Sequence, residues 1–178
     1  MANDEEEETV MRLYTIVAAV LRRGAEVALV THRGDAGELV WSLPAGKVEP
    51  YEAMAEAAAR EIAEETGLAL RELGTLAYAV QYSRPQRGDS TLAFVFEAEA
   101  QGDPKVRDPD GEVLAVEFVP VAEAIARLEG LPSRVMAEPA IAYLSGGNPS
   151  GTFLSYRDHE GTPALLTRTP AAGADKDR

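Results

Sequence analysis

Apolar residues along the first part of this chain form short runs that alternate between two faces. The segments LYTIVAAVLRR, Leu13 to Arg23, and AEVALVTHR, Ala25 to Arg33, are rich in β-branched residues and flank a glycine at position 24. Alternation with a period of two favours strands, and a glycine between two such runs favours a tight turn. The pattern therefore predicts that a β-hairpin opens the domain.

Three later runs have the same strand-like composition. They cover residues 68–83, 90–100 and 112–120; the turn RPQRGD joins the first two, and the loop QGDPKVRDPDG precedes the third. Between the hairpin and these runs, the turn-rich segment GDAGELVWSLPAG predicts a loop in which Trp41 and Leu43 point inward. Together these strands predict a mixed sheet.

Helical spacing of apolar residues appears in three segments. An alanine-rich run predicts a helix that begins near Pro50, a favoured first-turn residue, and ends at Gly67, a favoured residue just past a helix end. The segments VAEAIARLEG and SRVMAEPAIAYL predict a second helical region, with a break near Pro139. The order of elements indicates an α/β (α+β) domain in which a helix crosses between hairpins of a mixed sheet.

The two ends of the chain differ from its middle. Residues 1–12 predict an acidic flexible tail, residues 13–145 predict one domain, and residues 146–178 form a C-terminal extension. Within the extension, TFLSYR and PALLTR are compatible with short strands that pack on the domain or on a second subunit. The surrounding glycines and prolines favour a disordered extension equally, and the end TPAAGADKDR is predicted to be disordered.

Composition and charge exclude several classes of protein and partner. The 178 residues include no cysteine, and the formal net charge is −13. The chain therefore has no disulfide, thiolate zinc site or cysteine nucleophile, and its charge disfavours binding to long nucleic acid. Its N-terminus is acidic where a secretory signal is basic, and no apolar run is long enough to span a membrane. We expect a cytoplasmic protein without a membrane partner.

Carboxylates crowd the end of the first predicted helix. Glu61, Glu64 and Glu65 lie within one turn of GKVEPYEAMAEAAAREIAEETGL, Gly46 to Leu68. These charges repel one another and oppose the helix macrodipole, each at a cost of roughly 0.2–1 kcal/mol. Arg60 offsets part of this cost, and a divalent cation would offset more. Oxygen ligands favour Mg²⁺ or Mn²⁺, and magnesium sites are typically completed by substrate phosphates. The alternative interpretation is a solvated acidic face.

The same stretch resembles the Nudix box at every defined position. Those positions are occupied here by Gly46, Glu52, Arg60-Glu61-Ile62, Glu64-Glu65 and Gly67-Leu68. The resemblance extends over about Leu13 to Tyr143 and implies an α/β/α sandwich around a mixed β-sheet. It also implies a metal-dependent hydrolase that cleaves the pyrophosphate linkage of a nucleoside diphosphate joined to another moiety, X.

By position in the box, Glu61, Glu64 and Glu65 match the metal-binding glutamates of Nudix proteins, and the carbonyl of Gly46 matches a frequent further ligand. Glu52 matches the first box glutamate, which participates less regularly. The resemblance implies Mg²⁺ or Mn²⁺ as the cofactor.

Predicted catalytic residues include two box glutamates, Glu61 and Glu65, and Arg60, which matches the arginine that orients the glutamates. The general base is open between Glu61 and a residue of a later loop, because relatives use either arrangement. The loop candidate is Glu112, and Asp110 and Glu117 are its alternatives.

Signals for the substrate are weaker than those for the metal. Arg33, Arg84 and Arg87 lie in predicted loops where a guanidinium could contact a phosphate or a base, although such arginines are more often solvated surface charges. His32 and His159 are interpreted as surface or strand residues. The expected substrate is a small nucleotide, either a nucleoside triphosphate, including oxidised forms, or an ADP-ribose-like nucleotide sugar. A non-catalytic Nudix-fold nucleotide sensor or protein-binding module is the alternative function, and a homodimer is a possible assembly.

Overall fold

The computed structural model describes residues 11–34 and 37–169, so most of the predicted acidic tail and of the predicted disordered end lies outside the described residues. Within them, no helix is long and apolar enough to cross a membrane. The elements are β1 Arg12–Arg23, β2 Glu26–Arg33, β3 Leu39–Ser42, β4 Ala45–Lys47, α1 Met54–Thr66, β5 Ala69–Arg84, a 3₁₀ turn Pro85–Arg87, β6 Asp89–Gln101, β7 Val113–Pro120, α2 Val121–Leu128, α3 Arg134–Leu144, β8 Thr152–His159 and β9 Thr162–Thr169.

The strands form a mixed sheet with β1, β6 and β5 at its centre. The sheet order is β3-β2-β1-β6-β5-β8-β9, and β4 and β7 pair with β1 and β2 respectively. β1 runs parallel to β6 from Arg12↔Asp89 to Leu21↔Ala98, whereas β5 and β6 form a long antiparallel hairpin. The predicted mixed sheet and its hairpins are confirmed.

Helices pack against both faces of this sheet. In β1, Val17, Ala19 and Leu21 pack in clusters with α1, while Ala18 and Val20 pack in the cluster that contains residues of α2 and α3. Because successive side chains of a strand point to opposite faces, α1 lies on one side of the sheet and the α2–α3 pair on the other. The predicted α/β/α sandwich is therefore confirmed.

Helix α1 begins four residues later than predicted and ends where predicted. It begins at Met54, and the preceding residues form a turn in which Tyr51 has a φ of 68°. Pro50 therefore initiates the turn, because its fixed φ suits a turn as well as the first turn of a helix. At the other end, Gly67 has a φ of 70° and its N–H donates to the Ala63 carbonyl at 3.0 Å.

Two further expectations about local structure are wrong. The segment predicted as a loop contains β3 and β4, because sheet pairing with β2 and β1 satisfies the backbone of these short runs. Leu43 is buried and Trp41 packs, partly buried, against the main core cluster, as expected. The guanidinium of Arg127 lies 4.2 Å from the ring centroid of Trp41. Pro139 does not break α3, since the helix is held by packing of the buried side chains around it.

The C-terminal runs form two strands that extend the sheet. β8 pairs in parallel with β5, from Tyr78↔Thr152 to Ser83↔Arg157, and β9 pairs with β8. Leu154 and Tyr156 of β8 are buried in the cluster that includes β5 and α3. These strands pack on the body of the same chain, while the division of the chain after residue 145 stays a prediction.

Candidate functional site

Arg60 joins the carboxylates of the first helix to the loop that precedes it. Its Nε and Nη2 donate to the two oxygens of Glu52, each at 2.9 Å, and its Nη1 donates to Glu61 Oε1 at 2.7 Å. Nη1 also lies 3.4 Å from Glu64 Oε2, and Nη2 donates to the Lys47 carbonyl at 2.9 Å. The paired hydrogen bonds from Arg60 lower the pKa of Glu52 to about 2. One guanidinium thus orients three carboxylates.

Glu65 lies deeper than the other carboxylates of α1. The residue is 7% exposed, and one carboxylate oxygen accepts a hydrogen bond from the backbone N–H of Ala45 at 2.9 Å. Burial raises the pKa of Glu65 to about 8, and the negative charges of Glu61, Asp108 and Glu64 add to the shift. The buried carboxylate therefore needs a compensating positive charge, which a proton or a metal cation can supply.

Gly46 has no side chain, and the carboxylate of Glu61 occupies the space that a side chain would fill. A Cβ at position 46 would overlap both oxygens of that carboxylate, so no other residue fits here without moving Glu61. Burial raises the pKa of Glu61, and the hydrogen bond from Arg60 opposes the rise. The glycine at the start of the motif is thus explained by close approach of a side chain.

The loop between β6 and β7 is fastened to the C-terminal end of α1. The N–H groups of Lys105 and Arg107 donate to the carbonyls of Thr66 and Glu64, both at 2.8 Å. These bonds satisfy two carbonyls that the end of the helix leaves free. The loop and the carboxylates of α1 are therefore held in one arrangement.

Asp108 organises the acidic part of this loop. Its carboxylate accepts hydrogen bonds from the backbone N–H groups of Asp110 at 3.1 Å, Glu112 at 2.7 Å and Val113 at 2.8 Å. Burial opposes ionisation, but the three N–H donors prevail and lower the pKa of Asp108. The turn built around Asp108 presents Glu112 to the same cleft as the helix carboxylates.

A cleft of about 800 Å³ connects two chemically different regions. The acidic region is lined by Glu61, Glu64, Glu65, Asp108, Asp110 and Glu112. The apolar region lies between the sheet and the α2–α3 pair and is lined by Ile16, Ala18, Val80, Tyr82, Ala93, Val95, Leu128, Leu131, Val135 and Met136. Lys47, Arg60 and Arg84 also line the cleft and supply positive charge. The cleft can hold an anionic group and an apolar group side by side.

The acidic region suits a hard divalent cation in its donor chemistry. Its potential ligands are all oxygen atoms, and the carboxyls of Glu61 and Glu65 have raised pKa values. As the side chains stand, no three acidic, histidine or cysteine residues of the described ranges converge into a ligand set. In this arrangement Arg60 and the Ala45 N–H donate to carboxylate oxygens of Glu61 and Glu65.

Comparison with known proteins decides the family. A family model described as NUDIX domain matches residues 11–138, more than two thirds of the chain. The chain belongs to the Nudix family. The resemblance seen in the sequence motif is thereby confirmed over the whole central part of the protein.

Individual relatives agree with this assignment. The Nudix chain is 36% identical over 122 residues to "Putative mutator protein MutT4" of Mycobacterium tuberculosis, covering 66% of this chain and 48% of that protein. It is 33% identical over 109 residues to "8-oxo-dGDP phosphatase NUDT18" of Mus musculus, covering 60% of this chain and 32% of that protein. The chain thus matches less than half the length of these two relatives.

A solved structure shares the fold. A NUDIX hydrolase from Nitrosomonas europaea superimposes with a TM-score of 0.64 at 22% identity, covering 78% of this chain and 93% of that one. At this identity the likeness concerns the fold alone.

The Nudix fold brings most of the predicted site residues to the cleft. Those that line it are Gly46, Arg60, Glu61, Glu64, Glu65, Arg84, Asp110 and Glu112. Arg84 is also paired with Asp89, with 2.6 Å between Nε and Oδ1.

Glu52, which is bonded to Arg60, and three further predicted residues lie outside the described lining of the cleft. Arg33 donates to the Gly37 carbonyl at 3.3 Å, and Arg87 is exposed in the 3₁₀ turn. Glu117 is paired with Arg127 at 2.8 Å on the surface of β7. Nothing in these contacts connects the three residues to the carboxylates.

Sequence reasoning missed Asp108 near the site, although an aspartate at the start of the segment DPDG is typical of a turn in which the side chain accepts backbone N–H groups. His32 lies in strand β2, in agreement with its interpretation as a surface or strand residue. Its Nε2 is 2.8 Å from the hydroxyl of Ser42, a residue that lines the cleft. Burial lowers the pKa of His32, and the negative charges of Glu112 and Asp108 oppose this shift. No sequence signal pairs His32 with those residues.

Proposed function

We propose that this protein is a divalent-metal-dependent hydrolase that cleaves the pyrophosphate linkage of a nucleoside diphosphate joined to another moiety. The observation that carries the proposal is the buried carboxyl of Glu65, whose raised pKa suits it to a cation. This carboxyl lies near the carboxylates bonded to Arg60, in a cleft that continues into an apolar region. A diphosphate is repelled by such carboxylates unless cations lie between them. The name of one relative, 8-oxo-dGDP phosphatase, supports the same reaction class.

The metal would be held by Glu61, Glu64, Glu65 and the carbonyl of Gly46. When bound, Mg²⁺ or Mn²⁺ neutralises the diphosphate and lowers the pKa of a water molecule. The chain's own contribution begins with Arg60, which orients Glu61 and Glu64 through hydrogen bonds. Burial keeps the carboxylates of Glu61 and Glu65 poorly hydrated and so strengthens their electrostatic interactions.

Glu112 and Glu61 are the candidates for the general base. Asp108 is a poor candidate, because three N–H donors occupy its carboxylate and lower its pKa. Its role is to hold the backbone of Glu112, so that the Glu112 side chain remains available to accept a proton. A base needs a free lone pair within hydrogen-bond reach of the attacking water.

The apolar region of the cleft is proposed to bind the nucleoside. Its volume and its aliphatic and aromatic lining are typical of a small-molecule site. A small nucleotide is the proposed substrate, either a nucleoside triphosphate, including oxidised forms, or an ADP-ribose-like nucleotide sugar.

A cytoplasmic location and a homodimer remain predictions. The exposed Leu165 and Leu166 on β9 offer one edge for such a dimer.

A competition assay tests the proposal. Catalytic efficiency is measured on dNTPs, 8-oxo-dGTP, ADP-ribose and dinucleoside polyphosphates at one Mg²⁺ concentration, with EDTA as the metal-free control. We expect release of phosphate or pyrophosphate from at least one compound, abolished by EDTA and by Glu65→Gln. Nucleotide binding without turnover across the panel would instead support a sensor.

A further inference from the structure

The C-terminal hairpin of β8 and β9 reaches the apolar region of the cleft through one hydrogen bond. The phenol of Tyr82, which lines the cleft, donates to Asp158 Oδ1 at 2.9 Å. Asp158 lies near the end of β8, beyond residues 11–138 that match the NUDIX model. A residue outside the matched region is therefore bonded directly to a residue of the cleft.

The register of the sheet produces this contact. Parallel pairing of β5 with β8 sets Tyr82 beside Tyr156. Asp158 lies two residues beyond Tyr156 and so on the same face of β8, within diagonal reach of Tyr82. The second carboxylate oxygen of Asp158 accepts the N–H of Gly161 at 3.0 Å, in the turn that joins β8 to β9. The hairpin turn thus fixes the carboxylate that holds the phenol.

Tyr82 lies with the apolar lining of the cleft rather than with its carboxylates. Val80 precedes it on the same face of β5, and Ala93 of β6 lies beside Val80 in the sheet; both also line the cleft. The guanidinium of Arg84 lies 5.5 Å from the Tyr82 ring centroid. A bond to an ionised acceptor is stronger than one between neutral groups, so Asp158 restricts the rotation of this ring effectively.

We propose that Asp158 is a positioning residue that holds Tyr82 against the nucleoside part of the substrate, an inference that rests on the proposed function. The C-terminal hairpin then contributes to substrate affinity through β5. Because Tyr82 lies with the apolar residues proposed to bind the nucleoside and not with the carboxylates, the contribution falls on KM and leaves kcat nearly unchanged.

Steady-state kinetics with Mg²⁺ test the proposal. The substrate is dGTP or ADP-ribose, whichever the protein hydrolyses faster. Asp158→Ala and Tyr82→Phe should each raise KM roughly two- to tenfold, the usual effect of one lost hydrogen bond, with kcat within about twofold. Asp158→Asn retains an acceptor oxygen and should recover most of the affinity. The double variant should have the KM of the worse single variant, since both changes remove the same bond.

One control variant separates positioning from loosening of the hairpin. Ser155→Ala removes another hydrogen bond between β8 and β5, from Ser155 Oγ to Gln81 Oε1 at 3.1 Å, at residues that do not line the described cleft. It should leave KM near that of the unmodified protein, and thermal unfolding shows which variants remain folded.

An unchanged KM in folded Asp158→Ala, or an equal rise in Ser155→Ala, would overturn the inference while leaving the proposed function intact. If Asp158→Ala does not fold, Tyr82→Phe decides, because it leaves the turn untouched. If the unmodified protein hydrolyses only another compound of the panel, that compound replaces dGTP and ADP-ribose in these kinetics. If it hydrolyses none of the dNTPs, 8-oxo-dGTP, ADP-ribose and dinucleoside polyphosphates, the proposed function fails. Equilibrium binding of dGTP and ADP-ribose to the same variants then decides the inference, and absence of any binding overturns it.

Discussion

At the scale of single residues, the carboxyl of Glu65 links protonation to stability. Its pKa of about 8 in the folded protein lies above the ordinary value of 4.5, because the residue is buried. Between these pH values the folded state binds a proton that the unfolded state has lost. The free energy of unfolding of the metal-free protein should therefore fall as the pH rises from about 4.5 to about 8, by at most about 1.4 kcal/mol per pH unit.

Urea unfolding in EDTA at pH 5 and pH 8 measures this difference. Glu65→Gln has no proton to lose and should remove most of it, and Mg²⁺ at pH 8 should restore stability to the unmodified protein. The same pH dependence in Glu65→Gln would assign the effect to other groups.

Glu61→Gln and Glu65→Gln test the assignment of the metal site. Each change removes a charge without changing volume, so turnover should fall by about two or more orders of magnitude while the fold is retained. Circular dichroism and steady-state kinetics provide the two measurements. Glu117→Gln is the control, since Glu117 is paired with Arg127 away from the cleft, and it should retain near-normal activity. Near-normal activity in both site variants would refute the assignment.

Glu112→Gln distinguishes the two candidate bases. A loss of about two or more orders of magnitude in kcat would place the base in the β6–β7 loop, which is the expected result because Asp108 holds the backbone there. Asp108→Asn should have a smaller effect, since an amide oxygen can still accept some of the N–H groups. If Glu112→Gln is nearly fully active, Glu61 becomes the preferred base.

At the scale of elements, the end of α1 and the β6–β7 loop depend on Gly67. A Cβ there would overlap the carbonyl of Lys105, and the φ of 70° disfavours any side chain. Gly67→Ala should lower the free energy of unfolding by about 1–3 kcal/mol and also reduce kcat, because the loop that carries Glu112 is displaced. Chemical denaturation and kinetics measure the two effects.

Gly24→Ala is the matched control for Gly67→Ala. Gly24 has a similar φ of 61°, but a Cβ there would meet nothing within 4 Å. It should lose about 1 kcal/mol of stability and keep its kcat. Equal effects of the two changes would show that the contact with Lys105 is unimportant.

At the scale of the whole molecule, the C-terminal hairpin completes the core. Leu154 is 4% exposed, whereas Leu166 on β9 is 53% exposed. Leu154→Ala should lower the free energy of unfolding by about 2–5 kcal/mol, and Leu166→Ala by less than about 0.5 kcal/mol. Deletion of residues 146–178 should lower the melting temperature further. An unchanged melting temperature and an unchanged number of subunits in solution after the deletion would show that the extension is dispensable.

Much of this architecture could be predicted because its signals are local. The strand runs, the end of α1 at Gly67 and the box residues follow from periodicity, turn chemistry and a fixed spacing. The start of α1, the pairing of β3 and β4 and the intact helix at Pro139 could not be predicted, because tertiary contacts decide them. The bond between Tyr82 and Asp158 joins residues whose proximity depends on sheet register, which a single sequence does not specify.

Parallel pairing of β5 with β8 also has a consequence for the order of synthesis. A ribosome completes β5 and β6 long before β8, so one long edge of an apolar strand has no neighbour while the intervening helices are made. Open strand edges of this kind readily recruit other chains. The edge of β5 that β8 covers, from Tyr78 to Ser83, therefore stays open to pairing with other chains until the last strands emerge.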